Sequence, residues 1–220
     1  MVSRILKNPI YYALFVYVIL AISIGITLRN GLIVFLGWNI VLAAFVSFFA
    51  DVYVHLNEKG YKRLSVIPLI LCIIFFPNAI YVITDFIHLQ VYEFFRVYSD
   101  IYSFSIADWI VFGMIVIGAL LASKSGITAL DRMKNAHPGW IKRYYYLCLS
   151  ILFLASSVGI YIGRFLRFNS WDIFKLFTIM PQFLQNFTFF IGFVSIMWVI
   201  HVVLYVLLTK QSLKLLGGKS

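Results

Sequence analysis

The sequence predicts an all-α fold, a polytopic bundle of about six membrane-spanning helices, on three observations. Of 220 residues, 63% are hydrophobic and 12% charged, about half the ~25% charged share of a soluble domain. The apolar residues fall into six runs, each near the ~20 residues that cross a ~30 Å hydrocarbon layer. The 18 basic residues gather between those runs. So little charge cannot clothe a globule in polar groups, so lipid is the solvent for most of the surface. The formal net charge of +10 then reads as topology and headgroup contact, and no basic tract or base-stacking motif points to nucleic acid.

In chain order, the run 10–28 is too long for a signal-peptide core and no A-x-A site follows it, so it is expected to stay as a helix. The runs 32–50, 66–86, 106–122, 145–162 and 186–208 complete the set. Lys and Arg number 13 in the N-terminus, the second and fourth connections and the C-terminus, against 5 in the remaining connections. Positive residues favour the cytoplasm, so both termini are expected inside. Segment 91–104 alternates aromatics with Glu93, Arg96 and Asp100 and is expected at the interface, although a re-entrant path through 89–105 would also fit. Segment 171–180 sets Trp171, Phe174, Leu176 and Phe177 among polar neighbours and predicts a short interfacial helix on the outer side. No repeat, linker or low-complexity stretch divides the chain, so residues 1–220 read as one domain. Cys72 and Cys148 lie in apolar runs without CxxC spacing, which argues against a disulfide.

Four polar groups are expected to share the outer half of the membrane. In the first, Pro77 interrupts the hydrogen-bond ladder of the third span, and Asn78, Tyr81, Asp85 and His88 follow at helical spacing along one face. A polar stripe on a lipid-spanning helix must face protein or water. The second is Asp108 with Trp109 at the start of the fourth span. The third runs from Gly159 and Gly163, a small-residue face, to Arg164, Arg167, Asn169, Ser170 and Asp172. The fourth is Gln182, Gln185 and Asn186.

Asp85, His88 and Asp108 are candidates for acid/base chemistry or for holding a divalent metal, since a carboxylate and a His three residues apart share one helical turn. Asn78, Tyr81, Arg164, Arg167, Asn169 and Asp172 are candidates for binding a substrate, the two guanidiniums suiting a phosphate or carboxylate. Against these stand plainer readings. Asp85 or Asp108 can simply pair with arginine, Arg164 and Arg167 can reach lipid phosphates, and Asn169 and Ser170 can cap the interfacial helix. Asn39 can reach the same cavity as these groups but reads more simply as a packing residue, as does His201, and His55 and His137 read as loop residues. Asp51 is expected to meet Lys62 or Arg63. No Walker loop, GxSxG, HExxH or dinucleotide fingerprint is present.

The blocks PNAIYVITDFIHL, ADW and GIYIGRFLRFNSWD resemble the signature blocks of the bacterial membrane-protein family called domain of unknown function 1361. The resemblance covers the chain from about the second span to the last. One departure is Ile80, where a second proline is frequent in the family. The resemblance implies a small multi-pass protein of the bacterial cytoplasmic membrane and implies no activity. Three functions are therefore carried forward. One is an enzyme acting on a lipid or envelope precursor at the outer leaflet, with membrane lipids, among them an anionic lipid or precursor, as its partners. Another is a transporter or channel for a small solute or anion. The last is a non-catalytic assembly or sensory subunit.

Overall fold

In a computed structural model that describes residues 8–96, 101–102, 104–166 and 186–209, the six apolar runs form six helices long and apolar enough to cross a membrane. We number the helices α1 Pro9–Thr27, α2 Gly31–Glu58, α3 Val66–Tyr81, α4 Ile106–Met133, the short α5 Gly139–Arg143, α6 Tyr145–Phe165 and α7 Phe187–Leu208. The third span is composite, because α3 runs on as a 3-10 segment, Val82–Val91. Between that segment and α4, β1 (Phe95–Arg96) and β2 (Ile101–Tyr102) form a two-residue antiparallel ladder, Phe95 opposite Tyr102. Hydrocarbon offers no hydrogen-bond partner, so a chain this apolar satisfies its backbone within each helix.

Local chemistry sets the helix ends. Asn8 accepts the Ile10 N–H at 3.2 Å ahead of Pro9, and Asn30 accepts the Leu32 N–H at 3.0 Å. Only three residues separate α1 from α2, and Arg29 takes a left-handed φ of 49° to make that turn. The spans expected at 32–50 and 106–122 are longer in the structure, ending at Glu58 and Met133. At ~1.5 Å per residue each of these 28-residue helices is about 42 Å long. They therefore overshoot a ~30 Å core, and Asp51, Asp131 and Arg132 fall in the overshoot.

Contacts fix the relative directions. Ser47 meets Ser125 and Asp51 meets Arg132, so α2 and α4 run in parallel. Asn39 meets Asp85 and Cys72 meets the Val46 carbonyl, so the third span runs against α2. Ser156 meets His201 and Phe153 meets Tyr205, so α6 and α7 are antiparallel. The spans thus alternate direction, and Asp85 and Asp51 mark opposite ends of the bundle.

The centre belongs to α2, 44% of whose best apolar window is buried, against 22% for α1 and α7. Ile33, Leu36, Ile40, Ala43, Val46 and Ala50 are buried along one face of α2 at three- and four-residue steps. Small residues on α4 let other helices come close. A Cβ on Gly126 would lie 2.5 Å from Ala79 Cβ, and one on Gly118 would lie 2.5 Å from the Tyr17 hydroxyl. That hydroxyl donates to the Met114 carbonyl at 2.8 Å. The outer faces stay apolar, with Phe15, Ile26, Leu120 and Ile196 exposed, as lipid contact requires.

Candidate functional site

The principal polar network grows from the proline of the third span. Pro77 donates nothing to the helix ladder, and after Tyr81 the chain tightens from α to 3-10 geometry. With three residues per turn, side chains at i and i+3 eclipse. Asp85 and His88 therefore stack in one column, His88 Nε2 lying 3.9 Å from Asp85 Oδ1. The single face expected for Asn78, Tyr81, Asp85 and His88 assumed one continuous α-helix. The pitch changes between Tyr81 and Asp85, and the Asn78 amide donates to the Phe75 carbonyl at 3.0 Å.

Arg164 arrives on the last turn of α6, where a cation suits the helix dipole. Gly159 lets it come so near, since a Cβ there would lie 3.1 Å from Pro77 Cγ. The guanidinium donates from Nε to Thr84 Oγ1 at 2.9 Å and from Nη2 to Thr84 Oγ1 and Asp85 Oδ1. Its Nη1 lies 3.4 Å from His88 Nε2, and its Cζ sits 4.3 Å from the Tyr81 ring centroid. A guanidinium only donates, so His88 Nε2 accepts and the ring proton lies on Nδ1. The second oxygen of Asp85 accepts from Asn39 Nδ2 at 2.9 Å. Asp85 is fully buried, and the Arg164 side chain is 13% exposed. Charges at such a position persist only when paired and hydrogen-bonded.

Of the predicted site residues, Tyr81, Asp85, His88 and Arg164 are brought together. Asp108 sits at the same end of the bundle, in the first turn of α4, its backbone N–H 3.4 Å from Ser105 Oγ. Both Asp85 oxygens are committed to Arg164 and Asn39, and among the described residues no three His, Cys, Asp or Glu side chains gather as a metal set. The divalent-metal expectation for Asp85, His88 and Asp108 thus finds no assembled ligands there. Arg167, Asn169, Ser170 and Asp172, with the helix expected at 171–180, lie outside the described residues. Thr84 is a partner that sequence reasoning passed over, and Asn39 one for which it preferred packing to the shared cavity. Asn39 left a signal, as the one amide in a stretch from 31 to 50 that is apolar but for Ser47. Thr84 left none, since a helical threonine usually bonds its own backbone.

A second network occupies the other end. Arg132 Nε donates to Asp51 Oδ1 at 2.9 Å, and the Tyr11 hydroxyl donates to Asp51 Oδ2 at 2.7 Å. Asp51 therefore pairs with Arg132, not with Lys62 or Arg63. The parallel run of α2 and α4 sets Arg132 level with it, whereas those two residues lie beyond the end of α2. His201 behaves as a packing residue. It is buried between the Phe76 and Phe153 rings, with Nδ1 donating to the Met197 carbonyl at 2.7 Å and Nε2 accepting from Ser156 Oγ at 2.8 Å.

His55 belongs to the last turn of α2, while His137 follows α4 outside the spans, as expected, with Nδ1 3.0 Å from the Tyr53 hydroxyl. Burial, and then the nearby Lys142 charge, hold the His137 pKa below its ordinary 6.5. The unfolded chain then binds a proton that the folded chain refuses, so stability is full above pH 6.5 and falls as pH drops from there through the lowered folded value. Thermal melts from about pH 8 to about pH 5 should show this loss, and His137→Gln should shrink it.

Comparison with curated proteins and with solved structures gives no match. The family described as a protein of unknown function (DUF1361) has a model that matches residues 38–211. That stretch carries Asn39, Asp85, His88 and Arg164 as well as the Asp51–Arg132 pair, and on it the chain belongs to this family.

Proposed function

We propose that the chain is a non-catalytic subunit of the bacterial cytoplasmic membrane, an assembly or sensory component. In this reading the Asp85–Arg164 network is a latch between the third span and α6. The observation that carries it is saturation: both Asp85 oxygens and all three guanidinium nitrogens are engaged within the chain. A guanidinium so occupied has little left for a substrate anion. Apolar groups at the same end offer a docking surface for a protein partner, with Phe104 93% exposed and Val91 76% exposed. If the positive-inside bias holds, this end faces away from the cytoplasm.

The test is to exchange the charges. Asp85→Arg combined with Arg164→Asp should restore the folded yield that either single change lowers, and should keep any co-purifying partner. A latch tolerates the swap, whereas a catalytic centre does not.

One observation favours a second reading, an enzyme acting on a lipid or envelope precursor. The His88 side chain is 37% exposed beside a buried carboxylate, an arrangement suited to proton transfer. Normal folded levels of Asp85→Asn with an altered lipid or envelope profile would establish that reading and remove the first. Transport has less support, because buried Ile40, Ala43, Phe76 and Ala122 fill the bundle between the two networks.

A further inference from the structure

A cavity of about 800 Å³ opens at the Asp51 end of the bundle. Its floor is the Asp51–Arg132 pair, and Val54, Leu69 and Ile141 supply an apolar wall. Val66, 48% exposed at the start of α3, also lines it and gives its mouth an apolar edge.

The charges around it do not cancel. Arg132 is spent on Asp51, and its two terminal nitrogens lie 3.4 Å from Thr128 Oγ1 and the Ser47 carbonyl. Glu58 lines the cavity too, set against Lys62 and Lys142, which are exposed and have no ion-pair partner among the described residues. His137 adds no charge at neutral pH. A positive surplus therefore remains at the mouth, at the depth where α2 and α4 emerge from the hydrocarbon.

We propose that this cavity binds a phosphate-bearing amphiphile, an anionic membrane lipid. The headgroup phosphate lies between the Lys62 and Lys142 ammonium groups, and an acyl chain leaves past Val66. A free phosphate is the rival source of the same charge, but it would fill a small part of 800 Å³ and make no use of the apolar wall. Basic pockets at the ends of spans are suited to such headgroups. The assignment depends on nothing at the Asp85 end and stands whichever way the bundle faces.

The experiment uses the full chain in detergent, titrated with dioleoyl phosphatidylglycerol, with dioleoyl phosphatidylcholine and with inorganic phosphate, read by native mass spectrometry. Phosphatidylglycerol should bind at least tenfold more tightly than phosphatidylcholine. The double variant Lys62→Gln/Lys142→Gln should lose roughly tenfold of that preference, while Lys59→Gln, outside the cavity, should keep it. Ile141→Asn should weaken the lipid with its headgroup contacts intact. Equal binding of the two lipids, or an unchanged preference in the double variant, would overturn the proposal. Lysine-dependent displacement of the lipid by millimolar inorganic phosphate would overturn the lipid assignment in favour of a soluble anion.

Discussion

Arg164→Ala is expected to lower stability by about 3 kcal/mol or more, the usual consequence of leaving one partner of a buried ion pair behind. Asp85 would keep only the Asn39 amide, in a fully buried position. It can limit the loss by taking up a proton, so the cost stays near the lower end of the ~3–5 kcal/mol range. Asp85→Ala strands a guanidinium that cannot shed its charge. At the end of α6 and 13% exposed, that group can swing toward the headgroups, which again moderates the loss. The double variant Asp85→Ala/Arg164→Ala should be less destabilised than the sum of its parts, by about 1 kcal/mol or more. Thermal or denaturant melts of the purified protein in detergent measure all three. Strict additivity would show that the two groups do not act as a pair.

Gly126→Ala is expected to be nearly as damaging, although it adds one methyl group. A Cβ at Gly126 would sit 2.5 Å from Ala79 Cβ, far inside van der Waals contact. Ala79 has no torsion to turn aside, so α4 and α3 must separate. Overpacking of this kind costs about 1–3 kcal/mol, and in lipid close packing is a main force joining helices. At Gly159 a Cβ would approach flexible ring atoms of Pro77 at 3.1 Å, so Gly159→Ala should cost less. Gly113, with nothing within 4 Å of its Cβ, should accept alanine without loss or with a gain in helix propensity. The order Gly126, Gly159, Gly113 in melting temperature is the expected result, and a reversed order would contradict the packing.

Most of the secondary structure was legible because it is local. The six runs of apolar residues each became a helix within a few residues of the expected start. The ends were less legible. Span lengths of 32–50 and 106–122 followed hydropathy, but α2 and α4 continue through Asp51 and Arg132 because those groups pair with each other and so cost little to carry on. The site was legible in part. Asp85, His88, Tyr81 and Arg164 could be named from residue type and expected side. The passage from α to 3-10 after Tyr81 was not legible, because nothing beyond Pro77 announces it. Asn39 was undervalued because its partner lies 46 residues away. A plain pairing of Asp85 with arginine, one of the readings weighed from the sequence, is present in the geometry.

The sequence by itself determined the number of spans, their apolar outer faces and the concentration of Lys and Arg in alternate connections. Each depends on a helix satisfying its own backbone in a solvent without hydrogen bonds. The tertiary structure alone decided which charges meet: Arg164 with Asp85, Arg132 with Asp51, and the two lysines around an open cavity. Those pairings depend on which helices lie side by side and at what height. Adjacency is set by glycine contacts such as Gly126 on Ala79 and Gly159 on Pro77, which no periodicity within a single helix encodes.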